Sequence, residues 1–197
     1  FDDVWRTTDA AVANGSASYS WFWGPTVNFE TYEPYQESPG GQRQVRYYDK
    51  SRMEINDPNG DRSSIWYVTN GLLTVELVTG RMKMGNASDQ QRAPSTQLVA
   101  GDPQNNPGTP SYAMFQPLVT TDGASNRAPD RTGQEVTAFL SGNGVVGSTD
   151  SGGVRLASYQ PATGHNIPDV FWWWMNDPAS GFRPQQGVDW LFVLGYP

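Results

Sequence analysis

Hydrolysis of a glycosidic bond needs two carboxyl groups, about 5 Å apart for retention of configuration and about 6.5–9.5 Å apart for inversion. Two glutamates of this chain are candidates. Glu54 lies near the end of the alternating run 42–55, and Glu76 lies in the apolar run 72–78. If the two runs are neighbouring strands, both carboxylates face one ligand. The apolar flanks of Glu76 would raise its pKa, as a proton donor requires. A second centre is His165, the only histidine, with Asp169 as its local partner. Imidazole is the side chain most easily used for proton transfer near neutral pH. Each candidate has a plainer reading beside it: an outward-facing strand carboxylate, or a hydrogen-bonded structural histidine. The string Thr149-Asp150-Ser151-Gly152-Gly153 has the look of a serine-hydrolase nucleophile loop. The lone histidine follows that serine, however, which departs from the order of chymotrypsin-like enzymes.

Metal chemistry has little to work with. One histidine and no cysteine exclude the usual zinc sets. Asp57, Asn59 and Asp61 keep the alternating spacing of calcium loops, but the glutamate that closes an EF-hand loop is missing. The segment reads as a turn first and a calcium site second. No phosphate-binding glycine loop is present.

Aromatic side chains form the other chemical signal, at 13% of the 197 residues. At that density they fill a core or stack on flat ligands such as sugar rings. Trp21, Trp23, Tyr32, Tyr35 and Trp172 are the candidate ligand-binding rings. Trp172 belongs to the run Val170-Phe171-Trp172-Trp173-Trp174-Met175, which is apolar nearly all round. The sequence before it predicts a helix, with Asn166 as its cap, Pro168 in the first turn and Asp169 at the positive end of the dipole. Asn176-Asp177-Pro178 reads as its stop.

Charge excludes one class of partner. Thirteen basic against 20 acidic residues give a net charge of −7, which repels a phosphate backbone, so nucleic acid is not an expected partner. Only 17% of residues are charged, lysine occurs only at Lys50 and Lys83, and polarity comes from Ser, Thr, Asn, Gln and Gly. That composition suits an exported protein. No apolar run approaches the about 18 residues of a membrane span.

These residues must be positioned by short elements. Residues 1–13 predict a helix closed by Asn14-Gly15. Residues 18–23 alternate and predict a strand, and Pro34 keeps 29–35 out of the middle of a sheet. Residues 42–55 predict one long strand with Val45, Tyr47, Met53 and Ile55 on one face and Arg46, Arg52 and Glu54 on a polar other face. Asn70-Gly71 predicts a hairpin that pairs 66–69 with 72–78. Residues 85–110 read as a long irregular connection and 111–115 as one helical turn. Residues 132–140 predict a helix capped by Thr132 with Glu135, 145–159 a hairpin, and 188–194 a strand. The expected class is α+β: an antiparallel β-meander core with a few short helices and long loops, in one domain over residues 1–197.

Four strings carry a resemblance: Arg46-Tyr47-Tyr48-Asp49-Lys50-Ser51-Arg52-Met53-Glu54; Tyr67-Val68-Thr69-Asn70-Gly71-Leu72-Leu73 with Glu76-Leu77; Val99-Ala100-Gly101-Asp102; and Gly164-His165-Asn166-Ile167-Pro168. Over most of its length the chain resembles an uncharacterised family of large exported proteins of Chloroflexi-type bacteria. The resemblance implies secretion and a native chain that continues past Pro197. It implies no activity. Three functions remain open: a secreted domain that engages polysaccharide or cell-wall glycan through exposed aromatics, a secreted hydrolase of the glycosidase kind using the paired carboxylates or His165, and a structural surface protein. The oligomeric state is left open.

Overall fold

The computed structural model describes residues 1–100, 104–177 and 190–197. Strands β1 (Phe29–Pro34), β2 (Gln42–Tyr47), β3 (Arg52–Ile55) and β4 (Thr69–Asn70) form one antiparallel sheet in that order. With the four short α-helices among the described residues, this is an α+β chain with an antiparallel meander. Pro34 closes β1 at the sheet edge, the place where a residue without an N–H is tolerated.

The run 42–55 is a hairpin, not one strand. Tyr48 N donates to Ser51 O at 2.9 Å and the chain reverses over Asp49-Lys50. That turn reassigns every face beyond it. In a continuous strand Tyr47 and Arg52 point to opposite sides. In the hairpin they are cross-strand partners, as are Val45 and Glu54. Arg52 and Glu54 are therefore buried, where uninterrupted alternation would leave them on an outer polar face.

The opposite face of the sheet carries Met53 and Ile55. They pack with Trp23, Tyr48 and Val68 as the apolar core, and Val4 and Trp5 of helix α1 (Asp2–Ala13) lie against it. Asp2 and Asp3 start α1 at the positive end of its dipole. Asn14 and Gly15, whose φ is 75°, end it. Residues 18–23 are not a strand. The Asp9 carboxylate, buried inside α1's inner face, accepts from Phe22 N (2.9 Å), Trp23 N (2.9 Å) and Gly24 N (3.0 Å). Those three donors are spent on one carboxylate, so no ladder can use them.

The run 72–78 is also not a strand. It forms helix α2 (Leu72–Thr79), and Glu76 is buried on it. Gly71, with φ of 90°, carries the chain out of β4. Gly80 ends α2 in the left-handed region, and a Cβ there would sit 2.1 Å from Arg92 O. A short ladder of β5 (Arg81–Lys83) and β6 (Asp89–Gln91) follows.

The chain divides into two units: Phe1–Thr74 with Arg81–Gln91 and Asp177–Gly195, and Val75–Gly80 with Arg92–Asn176 and Tyr196–Pro197. The second unit is built from small ladders, β7 (Ala138–Leu140) with β8 (Val146–Ser148) and β9 (Leu156–Gln160) with β10 (His165–Pro168). The predicted turn at 111–115 is a 3-10 helix, Tyr112–Phe115. The predicted helix at 132–140 is absent. Thr132 gives its N–H and hydroxyl to Asp130 Oδ1, at 2.8 and 2.7 Å, instead of capping a helix, and Val136 N donates to Val154 O. Helix α3 (Asp169–Asn176) starts two residues later than the Asn166 cap predicts, because His165 to Pro168 are a strand. Residues 190–194, predicted as strand, are helix α4 (Trp190–Leu194), while Val188, Asp189 and the Pro178 stop lie outside the described residues.

Candidate ligand-binding site

The carboxylate pair does not arise in the way strand neighbours would make it. Glu54 faces Thr69 across β3 and β4, and Glu76 is on a helix. Glu54 has no exposed surface, and its Oε1 accepts from Arg52 Nε at 2.8 Å while Oε2 accepts from Thr69 Oγ1 at 3.3 Å. Burial pushes its carboxyl up, and Arg52, Arg43 and Thr69 pull it part of the way back. The network extends through Glu33, whose Oε2 lies 3.2 Å from Arg43 Nη2 and 3.6 Å from Arg52 Nη1. Tyr47 donates its hydroxyl to Glu33 Oε1. This is a buried ionic layer that links β1, β2 and β3, and both oxygens of Glu54 are engaged inside it by Arg52 and Thr69.

His165 and Asp169 are not a pair. His165 Nε2 lies 3.1 Å from Thr120 Oγ1, and the Thr120 hydroxyl donates to Ser125 O at 2.8 Å, which leaves Nε2–H as the donor to threonine. Burial, and then the charge of Arg127, lower the imidazole pKa. Asp169 takes the first position of α3 and accepts from Arg155 N at 3.2 Å. Ser151 gives its hydroxyl to Val154 O at 3.2 Å and does not meet His165.

Two of the five candidate stacking rings are core. Trp23 is buried, with Nε1 donating to Thr8 Oγ1 at 3.1 Å. Tyr35 is buried, its hydroxyl on Asn86 Oδ1 at 2.8 Å and the Arg43 guanidinium 5.1 Å from its ring centre. Trp21 is half-buried and stacks on Trp5 at 6.3 Å. Tyr32, on the edge strand, is exposed. In α3, Trp172 is half-buried, while its neighbours Phe171 and Trp173 reach solvent, 62% and 64% exposed. Asp57 and Asp61 are occupied with turn geometry, accepting from Asn59 N and Ser63 N, both at 2.9 Å. Among the described residues no group of three or more His, Asp or Glu side chains gathers as a metal site.

The concave site lies elsewhere, in the first unit. An open cavity of about 520 Å³ is walled by α1 (Asp3, Val4, Thr7), by Gln44, Arg46 and Ile55 of the sheet, by residues 62–65 with Tyr67 and Val68, and by Phe1 and Phe192. Its size is that of a small-ligand pocket. Asp61 and Ser64 shape the third wall: Ser63 N donates to Asp61 Oδ1, and Ser64 Oγ accepts from Trp66 N at 3.2 Å to start the 3-10 turn Ile65–Tyr67. That turn fixes the Tyr67 ring, whose hydroxyl donates to Pro58 O at 3.3 Å. Two arginines lie over aromatic rings of the wall. The Arg46 guanidinium is 4.7 Å from the Phe1 ring centre, and that of Arg62 is 5.7 Å from Tyr67. Phe192 is held edge-on by Trp66 at 5.6 Å, and its carbonyl accepts from Asn70 Nδ2 at 3.1 Å.

No known protein family, curated protein or solved structure matches the chain. The site therefore rests on its own geometry. Sequence reading missed Gln44, Arg62, Tyr67 and Phe192. The one local sign was Asp61-Arg62-Ser63-Ser64, a turn carboxylate and a capping serine directly ahead of Trp66-Tyr67. No helix among the described residues is long and apolar enough to cross a membrane.

Proposed function

We propose that the first unit is a saccharide-binding module and that the cavity beside α1 is its site. The observation that carries this reading is the wall itself: Tyr67, Phe1 and Phe192 rings next to Gln44, Arg46, Arg62, Ser63 and Ser64. A sugar ring needs both halves of that wall. Its C–H face packs on aromatic and apolar surface, and its hydroxyls need donors and acceptors set at fixed positions. Binding, not hydrolysis, is favoured because Glu54 is consumed by Arg52 and Thr69, and Asp3, the one carboxylate of the wall, is paired with Arg6 at 2.7 Å. Export and a glycan partner in the cell envelope fit the low-lysine, amide- and hydroxyl-rich composition.

The test is calorimetric titration of the intact chain with a panel of soluble oligosaccharides, with released reducing sugar assayed in parallel. Binding without release, weakened at least about tenfold by Tyr67→Ala, is the expected outcome; a buried ring contact is worth about that much. Release of reducing sugar would return the chain to the hydrolases. The exposed rings Tyr32, in the first unit, and Trp173, in the second, are each a separate candidate contact for insoluble glycan, tested one at a time by adsorption of Tyr32→Ala and Trp173→Ala to polysaccharide particles.

A further inference from the structure

The two arginines of the cavity wall are not equivalent. Arg46 is neutralised twice, with its Nε on Glu30 Oε2 at 2.7 Å and its Nη1 on Asp2. Arg62 has its guanidinium laid on Tyr67 and makes no ion pair among the described residues. Its nearest acid in sequence, Asp61, is committed to Ser63, whose N–H and hydroxyl it accepts at 2.9 and 2.6 Å. The wall's own acid, Asp3, faces Arg6. Of the charged side chains lining the cavity, Arg62 is thus the cation left with its donor edge open. Stacking on a ring limits the rotamers of that guanidinium, so less freedom is lost when it takes a planar anion.

We infer that Arg62 selects ligands bearing a carboxylate, and that the saccharide taken by this cavity is an acidic one, a uronic-acid-containing oligosaccharide. The inference rests on the saccharide reading above and deepens it. The chemistry is a fork of two parallel N–H groups meeting two carboxylate oxygens, the geometry that separates arginine from any neutral hydrogen-bonding side chain. The overall charge of −7 works against an acidic ligand at long range. Recognition must therefore be local, and steering from solution contributes little to the on-rate.

The experiment is titration of wild type, Arg62→Gln and Arg62→Lys with trimers of galacturonate, glucuronate and mannuronate and with their neutral galactose, glucose and mannose counterparts, at low and at physiological salt. The expected result is that one acidic trimer binds at least about tenfold tighter than its neutral counterpart, with salt weakening it. Arg62→Gln should erase most of that preference by weakening the acidic trimer more than the neutral one, and Arg62→Lys should restore part of the charge but not the fork. Acidic and neutral trimers binding equally, with Arg62→Gln without effect, would overturn the inference and leave the saccharide reading standing. No binding by any trimer would remove both. Circular dichroism of the exposed-site variants separates loss of binding from loss of fold.

Discussion

The two units of this chain are held by different means. The first has an apolar core on one face of a four-stranded sheet and a buried ionic layer on the other, with Met53, Arg43, Arg52 and Glu54 all essentially closed to solvent. The second, in its described residues, is stitched by side chains that reach backbone. Arg127 donates to Gly123 O and Ala162 O, both at 3.0 Å, and to Pro161 O. Asn166 accepts from Arg131 N at 2.9 Å and donates to Pro129 O at 3.0 Å, and Tyr159 donates to Ala128 O at 3.1 Å. A core that excludes water concentrates stability in a few residues. Surface stitching divides it into many small, water-exposed portions. The candidate cavity belongs to the first kind of region, where a fixed wall can be held.

The largest expected effect comes from breaking the ionic layer. Glu54→Ala leaves Arg52 buried beside a lost partner and should cost the first unit about 3–5 kcal/mol in urea unfolding. Replacing both, as Arg52→Met with Glu54→Leu, should recover most of that loss. A single variant as stable as wild type would contradict the contrast, and so would a double variant as unstable as the single. Next comes Asp9→Ala, which strands the N–H groups of Phe22, Trp23 and Gly24 and should cost about 2–3 kcal/mol by the same measurement.

Effects in the second unit should be smaller. Arg127→Ala removes three bonds to carbonyls that water can replace, and about 1 kcal/mol is expected. His165 adds a pH signature. Its pKa is lowered in the folded state, so the unfolded chain binds the proton more readily. Its contribution is full above the ordinary histidine range of about 6.5 and is lost as pH falls through that range toward the lowered value. Comparing wild type with His165→Gln across that window isolates the loss; identical pH profiles would mean that the histidine is not desolvated as described. The smallest effect belongs to Tyr32→Ala, whose ring is 64% exposed, and a change within about 0.5 kcal/mol is expected.

Legibility in the sequence follows the same divide between local and distant causes. Local chemistry was readable: α1 with its Asn14-Gly15 stop, the edge position forced by Pro34, and the turn at 112–115. Alternation in 42–55 was real, but it did not reveal the reversal at Asp49-Lys50, and that reversal moved Arg52 and Glu54 from an outer face to the interior. The apolar run 72–78 reads as strand, yet Gly71 and Gly80 bracket it as a helix. Residues 132–140 looked capped, but Asp130 captures the Thr132 N–H first. The cavity was illegible for a simpler reason. Its wall draws on residues 1–7, 44–46, 55, 62–68 and 192, which no window of sequence brings together.

The most direct test of the saccharide site is a titration of the isotopically labelled chain with the oligosaccharide panel, read as backbone amide shifts in a ¹H–¹⁵N spectrum. The account predicts saturable shifts concentrated at Gln44, Arg46 and residues 62–68, with Glu54 and His165 unmoved. Shifts centred on His165 or Glu54, or a spectrum unchanged by every saccharide, would contradict it.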